Sequence, residues 1–137
     1  MFEQHSDQWE QIHSFSIDTT TGRFITLGIS NDLLYVCALY DDKIDAYTLK
    51  GAFRFTTGKQ GKSASGDLYW PRICDTDASG AALIADCGNH RLQVLSANGQ
   101  WSIVPLDPPV KRPWGACFVN DALYVCHGTN ISCYNCE

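Results

Sequence analysis

The chain repeats itself at intervals of 41 and 48 residues, and this repetition constrains the fold more than any other feature. The heptapeptide at 31–37, NDLLYVC, returns at 120–126 as NDALYVC, with six of seven residues identical at an offset of 89. Residues 36–53 also align without a gap on residues 84–101, at an offset of 48. A repeat of this length, made of short strands and turns, indicates the blades of a β-propeller.

Each repeat unit contains short apolar runs bounded by turn residues, a pattern typical of buried strands. A polar turn and a second strand follow, in which apolar and polar residues alternate. Asn98-Gly99 then predicts a tight turn, because both residues tolerate positive φ. No stretch shows sustained helical periodicity. The sequence therefore predicts an all-β β-propeller segment of about three four-stranded blades, half of a six-bladed propeller. The predicted strands cover 33–38, 43–49, 82–86, 91–96, 122–126 and 131–134.

The repeat also defines the expected units of the chain. The first blade unit covers 24–69, the second 70–111 and an incomplete third 112–137, after an entry loop at 18–23. Before them, residues 9–17 predict a lone strand. A lone outer strand at one end and a unit without its outer strand at the other leave two interpretations open. The chain is a segment of a longer propeller, or two copies self-associate to close a six-bladed ring.

The chain is acidic, with 10 basic and 15 acidic residues and a net charge of −5. This balance disfavours non-specific nucleic-acid binding, although a local basic face remains open. No apolar run approaches the roughly 18 residues that a membrane-spanning helix needs. Residues 1–7 are polar and acidic, unlike a secretory signal. These features predict a cytoplasmic protein without membrane association.

Seven cysteines cannot all be paired within one chain. Cys37 and Cys126 occupy the same repeat position, where the middle unit has Ala85, so we expect both to be buried and reduced like small apolar residues. Cys133 and Cys136 form a C-x-x-C pair that we expect to react more readily. This pair lacks the second ligand pair that a zinc site needs. The sequence therefore predicts no metal and no cofactor.

Polar residues cluster where the middle unit turns from one strand to the next: Asp86, Asn89, His90 and Arg91. A histidine can titrate near neutral pH, but Asn and His side chains also satisfy turn backbone groups. We interpret all four as a structural motif. The sequence contains no Ser-His-Asp order, no H-E-x-x-H and no glycine-rich phosphate loop. We therefore predict no catalytic residue, and a chain that is not an enzyme by itself.

The middle unit resembles a known repeat family. Residues 70–80, WPRICDTDASG, residues 83–95, LIADCGNHRLQVL, and the turn at 98–99 together resemble an NHL repeat, whose pattern runs from a proline through Asp-x-x-Gly and Val-Ala-Asp to Asn-His-Arg. The flanking units depart from this pattern, since residues 41–43, DDK, stand where the middle unit has NHR at 89–91. The local sequence is most like the C-terminal propeller of tripartite-motif E3 ubiquitin ligases.

This resemblance implies a binding platform that recruits a substrate or partner for a ubiquitin ligase of the tripartite-motif type. The catalytic modules of such a ligase are absent from this sequence, which has no RING-like set of Cys and His residues. The resemblance leaves two alternatives open. Some propellers of this kind bind single-stranded RNA, and others are metal-dependent lyases or hydrolases.

Candidate binding residues lie where each unit begins, because an Arg stands near an aromatic residue at all three starts. In a propeller these segments link the outer strand of one blade to the inner strand of the next, and so they cluster at the mouth of the central channel. Arg and Trp are enriched in binding hot spots. We therefore predict a channel face that binds a protein or peptide, with RNA as the alternative ligand and simple packing of the Trp side chains between blades as the structural alternative. The predicted face contains Arg23, Trp70, Arg72, Arg112 and Trp114.

Overall fold

The computed structural model describes residues 8–19 and 24–135, and strands dominate the second range. Sheet 1 is four-stranded and antiparallel, with its strands adjacent in chain order. The Asn31-Asp32 turn joins its first two strands with φ values of 50° and 60°, the positive values that a type I′ hairpin turn requires. The strands are β1 (Ile25–Ser30), β2 (Leu33–Ala38), β3 (Ile44–Thr48) and β4 (Phe53–Thr57).

A linker and a second sheet of the same design follow. The linker contains a short parallel pair, β5 (Lys59–Gln60) and β6 (Asp67–Leu68). Sheet 2 is four-stranded and antiparallel, again with its strands adjacent in chain order, and a 3-10 turn at Cys87–Asn89 separates its second strand from its third. The strands of sheet 2 are β7 (Pro71–Thr76), β8 (Ala82–Asp86), β9 (Arg91–Leu95) and β10 (Trp101–Ile103).

Sheet 3 is three-stranded, with β12 between its neighbours. Its strands are β11 (Pro113–Val119), β12 (Ala122–His127) and β13 (Asn130–Asn135). The described residues contain no α-helix, and none of their helical turns has the length or apolar character to cross a membrane. The predicted all-β fold of successive blade-like sheets is confirmed.

The core lies between successive sheets. Every residue of β8 is buried, because sheet 2 is covered on both faces. Alternate residues of a strand point to opposite faces, so Ile84 packs toward sheet 1 whereas Leu83 packs toward sheet 3. Full burial of one such aliphatic side chain stabilises the fold by about 1.5–3 kcal/mol. Each blade therefore gains much of its stability from its neighbours rather than from its own strands.

The prediction that Cys126 is buried is wrong. Cys37 is fully buried on the face of sheet 1 that contacts sheet 2, and its Sγ lies 3.3 Å from the carbonyl oxygen of Pro71. Cys126 has the same place in sheet 3 but is exposed, because no further sheet in the described part of the chain covers that face. The repeat predicted the direction of the side chain correctly, but burial depends on the neighbouring sheet.

The prediction of a strand at 9–17 is also wrong, since residues 8–19 form no strand. The segment instead contacts sheet 1 through side chains. His13 Nε2 lies 2.9 Å from the carbonyl oxygen of Leu49, and the Phe15 and Tyr47 rings are 6.0 Å apart. The Asp18 N–H donates to the Tyr47 hydroxyl over 3.1 Å. An extended sequence becomes a strand only where a free strand edge pairs with it, and the sequence pattern does not reveal that edge.

Candidate functional site

The first strands of sheets 2 and 3 begin in the same way. Pro71 opens β7 and Pro113 opens β11, and both prolines are fully buried. The residue before each proline has a positive φ, 54° at Trp70 and 49° at Arg112. Since β7 and β11 contact each other, these two sharp turns bring their side chains to the same end of neighbouring sheets.

Side chains from the preceding blade hold both turns. The Trp70 N–H donates to Asp42 Oδ1 over 2.9 Å, and the Arg112 N–H donates to His90 Nδ1 over 3.1 Å. Burial raises the pKa of Asp42, and the hydrogen bond from Trp70 opposes that rise. Two donors that would otherwise lack partners are therefore satisfied, one by a carboxylate and one by an imidazole.

Arg72 and Trp114 form the direct contact between sheets 2 and 3 within the predicted face. The guanidinium carbon of Arg72 lies 4.5 Å from the centre of the Trp114 ring, which is a cation–π geometry. Arg72 Nε is buried and has no hydrogen-bond partner among the described residues. Trp114 remains 40% exposed. Arg72 is thus partly desolvated, whereas part of the Trp114 ring remains accessible to a ligand.

Trp70 belongs to a second aromatic group nearby. Its ring lies 4.8 Å from that of Tyr69, and the Lys62 ammonium lies 5.8 Å from the Tyr69 ring centre. Sequence analysis missed Tyr69 and Lys62. The adjacency of Tyr69 to Trp70 was a signal that could have indicated the first. Lys62 comes from the linker between sheets 1 and 2, and only the fold of that linker brings it to the tyrosine.

The side chain of Arg112 is exposed, and its charge reaches the same region as that of Arg72. Burial raises the pKa of the Cys87 thiol, while the positive charges of Arg72 and Arg112 lower it. Both guanidinium groups therefore act electrostatically on one buried thiol. The structure brings together four of the five predicted residues at this end of sheets 2 and 3, whereas Arg23 lies outside the described residues. We call Lys62, Tyr69, Trp70, Arg72, Arg112 and Trp114 the basic aromatic face.

Asp86 is fully buried at the centre of a hydrogen-bond network behind this face. Its Oδ1 accepts the Tyr69 N–H over 2.8 Å. Its Oδ2 accepts Arg91 Nε over 2.8 Å, Asn89 Nδ2 over 2.9 Å and Gln93 Nε2 over 3.1 Å. A buried carboxylate needs such charge-assisted bonds to offset its loss of water. Sequence analysis missed Gln93, whose alternation with apolar neighbours looked like that of an exposed position.

The same network anchors the linker between sheets 1 and 2. Arg91 donates to the carbonyl oxygens of Ser63, Ala64 and Asp67, each over 2.9 Å. Asn89 Nδ2 donates to the Gly61 carbonyl oxygen over 2.9 Å. These bonds position the linker that carries Lys62. The polar motif therefore uses its side chains for hydrogen bonds within the protein. These bonds hold the linker that places Lys62 in the basic aromatic face.

No set of three or more His, Cys, Asp and Glu side chains in residues 8–19 and 24–135 is grouped so that it could hold a metal ion. Cys133 is exposed on β13, and Cys136, its partner in the C-x-x-C pair, lies outside the described residues. All six cysteines of the described ranges are free thiols.

No protein-family model and no curated protein sequence matches the chain. Solved structures do match it. An inactive variant of virginiamycin B lyase from Staphylococcus aureus with quinupristin has a TM-score of 0.57 and 18% identity over 74% of this chain and 33% of that one. A streptogramin B lyase structure has a TM-score of 0.56 and 15% identity over 80% of this chain and 39% of that one.

These similarities define the class of fold. Together with the repeated four-stranded sheets, they show that the chain has a propeller-type all-β repeat fold. The chain spans between a third and two fifths of the length of the matched structures. At 15–18% identity the similarity carries the fold alone, because one fold supports many unrelated functions.

Proposed function

We propose that this chain is a non-enzymatic binding platform of NHL type that captures a protein or peptide on its basic aromatic face. The observation that carries the proposal is the Arg72–Trp114 pair, with a 4.5 Å separation and an unpaired Arg72 Nε. A buried donor without a partner is costly, so ligand binding that shifts the Arg72 side chain and brings an acceptor to Nε would remove that cost. The open side of the Trp114 ring adds apolar area for the same ligand.

The charges of this face indicate the chemistry of the partner. Lys62, Arg72 and Arg112 are all basic, although the chain as a whole has a net charge of −5. An extended peptide with carboxylate side chains and an adjacent apolar residue fits this combination of guanidinium groups and aromatic rings. Following the resemblance of residues 70–99, we propose that the peptide belongs to a substrate or partner of a cytoplasmic ubiquitin ligase of the tripartite-motif type. The free state of the six described cysteines is compatible with that location.

Charge reversal on the face tests the proposal. We expect Arg72→Glu combined with Arg112→Glu to abolish capture of acidic peptides from an immobilised peptide library. Each lost hot-spot side chain should cost about 2 kcal/mol or more. Arg54→Glu is the matched control, since Arg54 is an exposed basic residue on the outer strand β4. Circular dichroism and thermal melts should show that all variants remain folded.

Single-stranded RNA is the competing ligand, and the same variants distinguish it. RNA capture would fall steeply with salt through counterion release, whereas peptide capture through stacking and specific hydrogen bonds should fall less. RNA capture that needs Arg72 and Arg112 would replace the peptide proposal with a nucleic-acid one. Peptide capture that survives in the folded double variant would reject this face as the binding site.

A further inference from the structure

The outer edge of β13 differs from the corresponding edges of the other two sheets. In sheet 1, β4 pairs with β3 and places Phe53 opposite Tyr47. In sheet 2, β10 pairs with β9 and places Trp101 opposite Leu95. Tyr134 of sheet 3 is the residue equivalent to Tyr47 and Leu95. No strand within residues 8–19 and 24–135 pairs with the outer edge of β13. A fourth strand with an aromatic residue opposite Tyr134 would complete the pattern.

Trp101 shows where such an aromatic side chain goes. Its indole Nε1 donates to Thr57 Oγ1 over 2.9 Å, and its ring packs closely over Gly58 and Gly66. Trp101 therefore fills the space between its own sheet and the linker that arrives from sheet 1. A large aromatic residue at this position of a fourth strand therefore packs its blade against the linker from the preceding blade.

The equivalent space in sheet 3 is an open groove. It has a volume of about 560 Å³ and lies between Tyr134 and Leu123 of sheet 3 and the first linker residues after β10, Val104 to Leu106. Its walls are mainly apolar. The groove occupies the position that Trp101 fills one blade earlier, and it continues the unpaired edge of β13. We call the edge and the groove together the sheet 3 acceptor.

The free face of sheet 3 points to a blade of this same repeat as its neighbour. Tyr35 is 3% exposed and Ile44 is 0% exposed at the interface between sheets 1 and 2. Their repeat equivalents in sheet 3, Tyr124 and Ile131, are 39% and 74% exposed. The face thus presents the residue types that sheet 1 buries against sheet 2. It continues an interface that the molecule already forms.

We propose that the sheet 3 acceptor binds residues 9–12 of a second copy of this chain as a fourth strand, while His13, Phe15 and Asp18 keep their contacts with sheet 1 of that copy. Trp9 is 73% exposed and Ile12 is 89% exposed, so this segment has large apolar side chains that the protomer does not bury. Trp9 lies 15 residues before Phe24, which is between the 11 residues from Trp101 to Arg112 and the 17 from Phe53 to Trp70, the equivalent positions of the other sheets. Trp9 of the second copy fills the groove, and the face of its sheet 1 that points away from sheet 2, with the segment that covers it, comes to face sheet 3. The exchange is reciprocal in a two-fold dimer.

The register of sheet 2 determines which residues should pair. Trp101 lies opposite Leu95 and Ser102 lies opposite Val94. In sheet 3 the equivalents of Leu95 and Val94 are Tyr134 and Cys133, since Leu123 pairs with Tyr134 as Ala82 pairs with Leu95. Trp9 therefore lies opposite Tyr134, and Glu10 lies opposite Cys133 of the other copy. Directly opposite residues have Cβ atoms about 4.5–5.5 Å apart, close to what a disulfide requires.

Cross-linking tests this register. The background is the full-length chain with Cys117→Ser, Cys126→Ser and Cys136→Ser, in which Cys133 is the exposed native thiol. Adding Glu10→Cys and oxidising mildly should give a covalent dimer on a non-reducing gel. Gln11→Cys is the matched control, because a neighbouring residue on a strand points to the opposite face and should cross-link at least tenfold more slowly. Adding Cys133→Ser to Glu10→Cys should abolish the dimer band.

The mass in solution provides an independent test. Light scattering of the unmodified chain should give twice the 15.2 kDa protomer mass, and Trp9→Ser should shift the population to monomer without changing the circular dichroism spectrum. A folded wild-type monomer at all concentrations would overturn the proposal. Equal cross-linking of Glu10→Cys and Gln11→Cys, or a disulfide formed within one chain, would overturn it as well. None of these outcomes bears on whether the basic aromatic face binds a peptide.

Discussion

His90 and Asp42 occupy the same position in successive repeat units, and both accept the same type of backbone hydrogen bond although one is an imidazole and the other a carboxylate. Both lie in the left-handed region, with φ of 56° and 50°. Each accepts the backbone N–H of the residue that precedes the buried proline of the next blade. The repeat therefore conserves an acceptor at this position rather than a residue type. Each acceptor holds the backbone turn before a buried proline, so this turn geometry, and not the residue type at the acceptor position, places the basic aromatic face.

The first prediction tests this interpretation of His90. His90→Asp should keep the stability of the protein within about 0.5 kcal/mol, because Asp tolerates a left-handed backbone and retains an acceptor. His90→Val should cost about 2 kcal/mol, since it loses the acceptor of the Arg112 N–H and places a β-branched residue at positive φ. Urea denaturation measures both. Equal stability of the two variants would show that the hydrogen bond contributes little.

The second prediction concerns the buried carboxylate of Asp42. Burial raises its folded pKa above the unfolded value of about 3.9. Its contribution to stability is therefore fully present below the unfolded pKa and is lost as pH rises through the folded pKa. Asp42→Asn retains an oxygen acceptor for Trp70 and removes the charge. We expect the variant to be the more stable protein at pH 7 and to lose this advantage near pH 3, where Asp42 is neutral.

Urea titrations of both proteins at the two pH values measure this difference. Asp77→Asn is the control of opposite sign, because hydrogen bonds from Ser79 and Ala81 lower the pKa of Asp77. That carboxylate stabilises the fold above its unfolded pKa, and the contribution is lost as pH falls through the folded pKa. An Asp42→Asn variant that is less stable than the wild type at pH 7 would contradict the assignment of a costly buried charge.

The third prediction concerns Asp86. Asp86→Ala leaves Arg91, Asn89 and Gln93 without their shared acceptor inside the protein. Removal of one partner of a buried ion pair typically costs about 3–5 kcal/mol, and we expect a loss in that range or an unfolded chain. Asp86→Asn with Arg91→Gln removes both charges while keeping polar contacts, and it should recover part of the loss. Chemical denaturation of the three proteins gives the comparison, and an unchanged Asp86→Ala stability would refute the structural role of the network.

The fourth prediction concerns the thiols. Cys117, Cys126 and Cys133 are exposed and should react within seconds with a maleimide under native conditions. Cys37 should be protected, because burial raises its pKa to about 12, and Cys74 should follow it with a pKa of about 11. Mass spectrometry after timed quenching identifies each site. Association through the sheet 3 acceptor should slow the labelling of Cys133 with increasing protein concentration, and Trp9→Ser should remove this dependence.

Much of the architecture was predictable because it depends on local periodicity. The offset of 48 residues predicted equivalent strands in sheets 1 and 2, and the continuous apolar run at 82–86 predicted the buried strand β8. Pro71 and Pro113 predicted the beginnings of two blades. Burial was less predictable, as Cys37 and Cys126 show, because an identical strand is buried or exposed according to whether another sheet packs on it. The irregular segment at 9–17 shows the same dependence for strand formation.

By itself the sequence determined the repeat, the all-β fold and, to within about one residue, the ends of six strands, since turn chemistry and side-chain alternation act over a few residues. The tertiary structure alone decided which distant residues meet. It placed Arg72 over Trp114, 42 positions later, and brought Lys62 to Tyr69 by folding the linker around Arg91. It also left the groove beside Tyr134 open. These relationships depend on how whole sheets pack against each other. A pattern of a few neighbouring residues does not encode which distant surfaces meet.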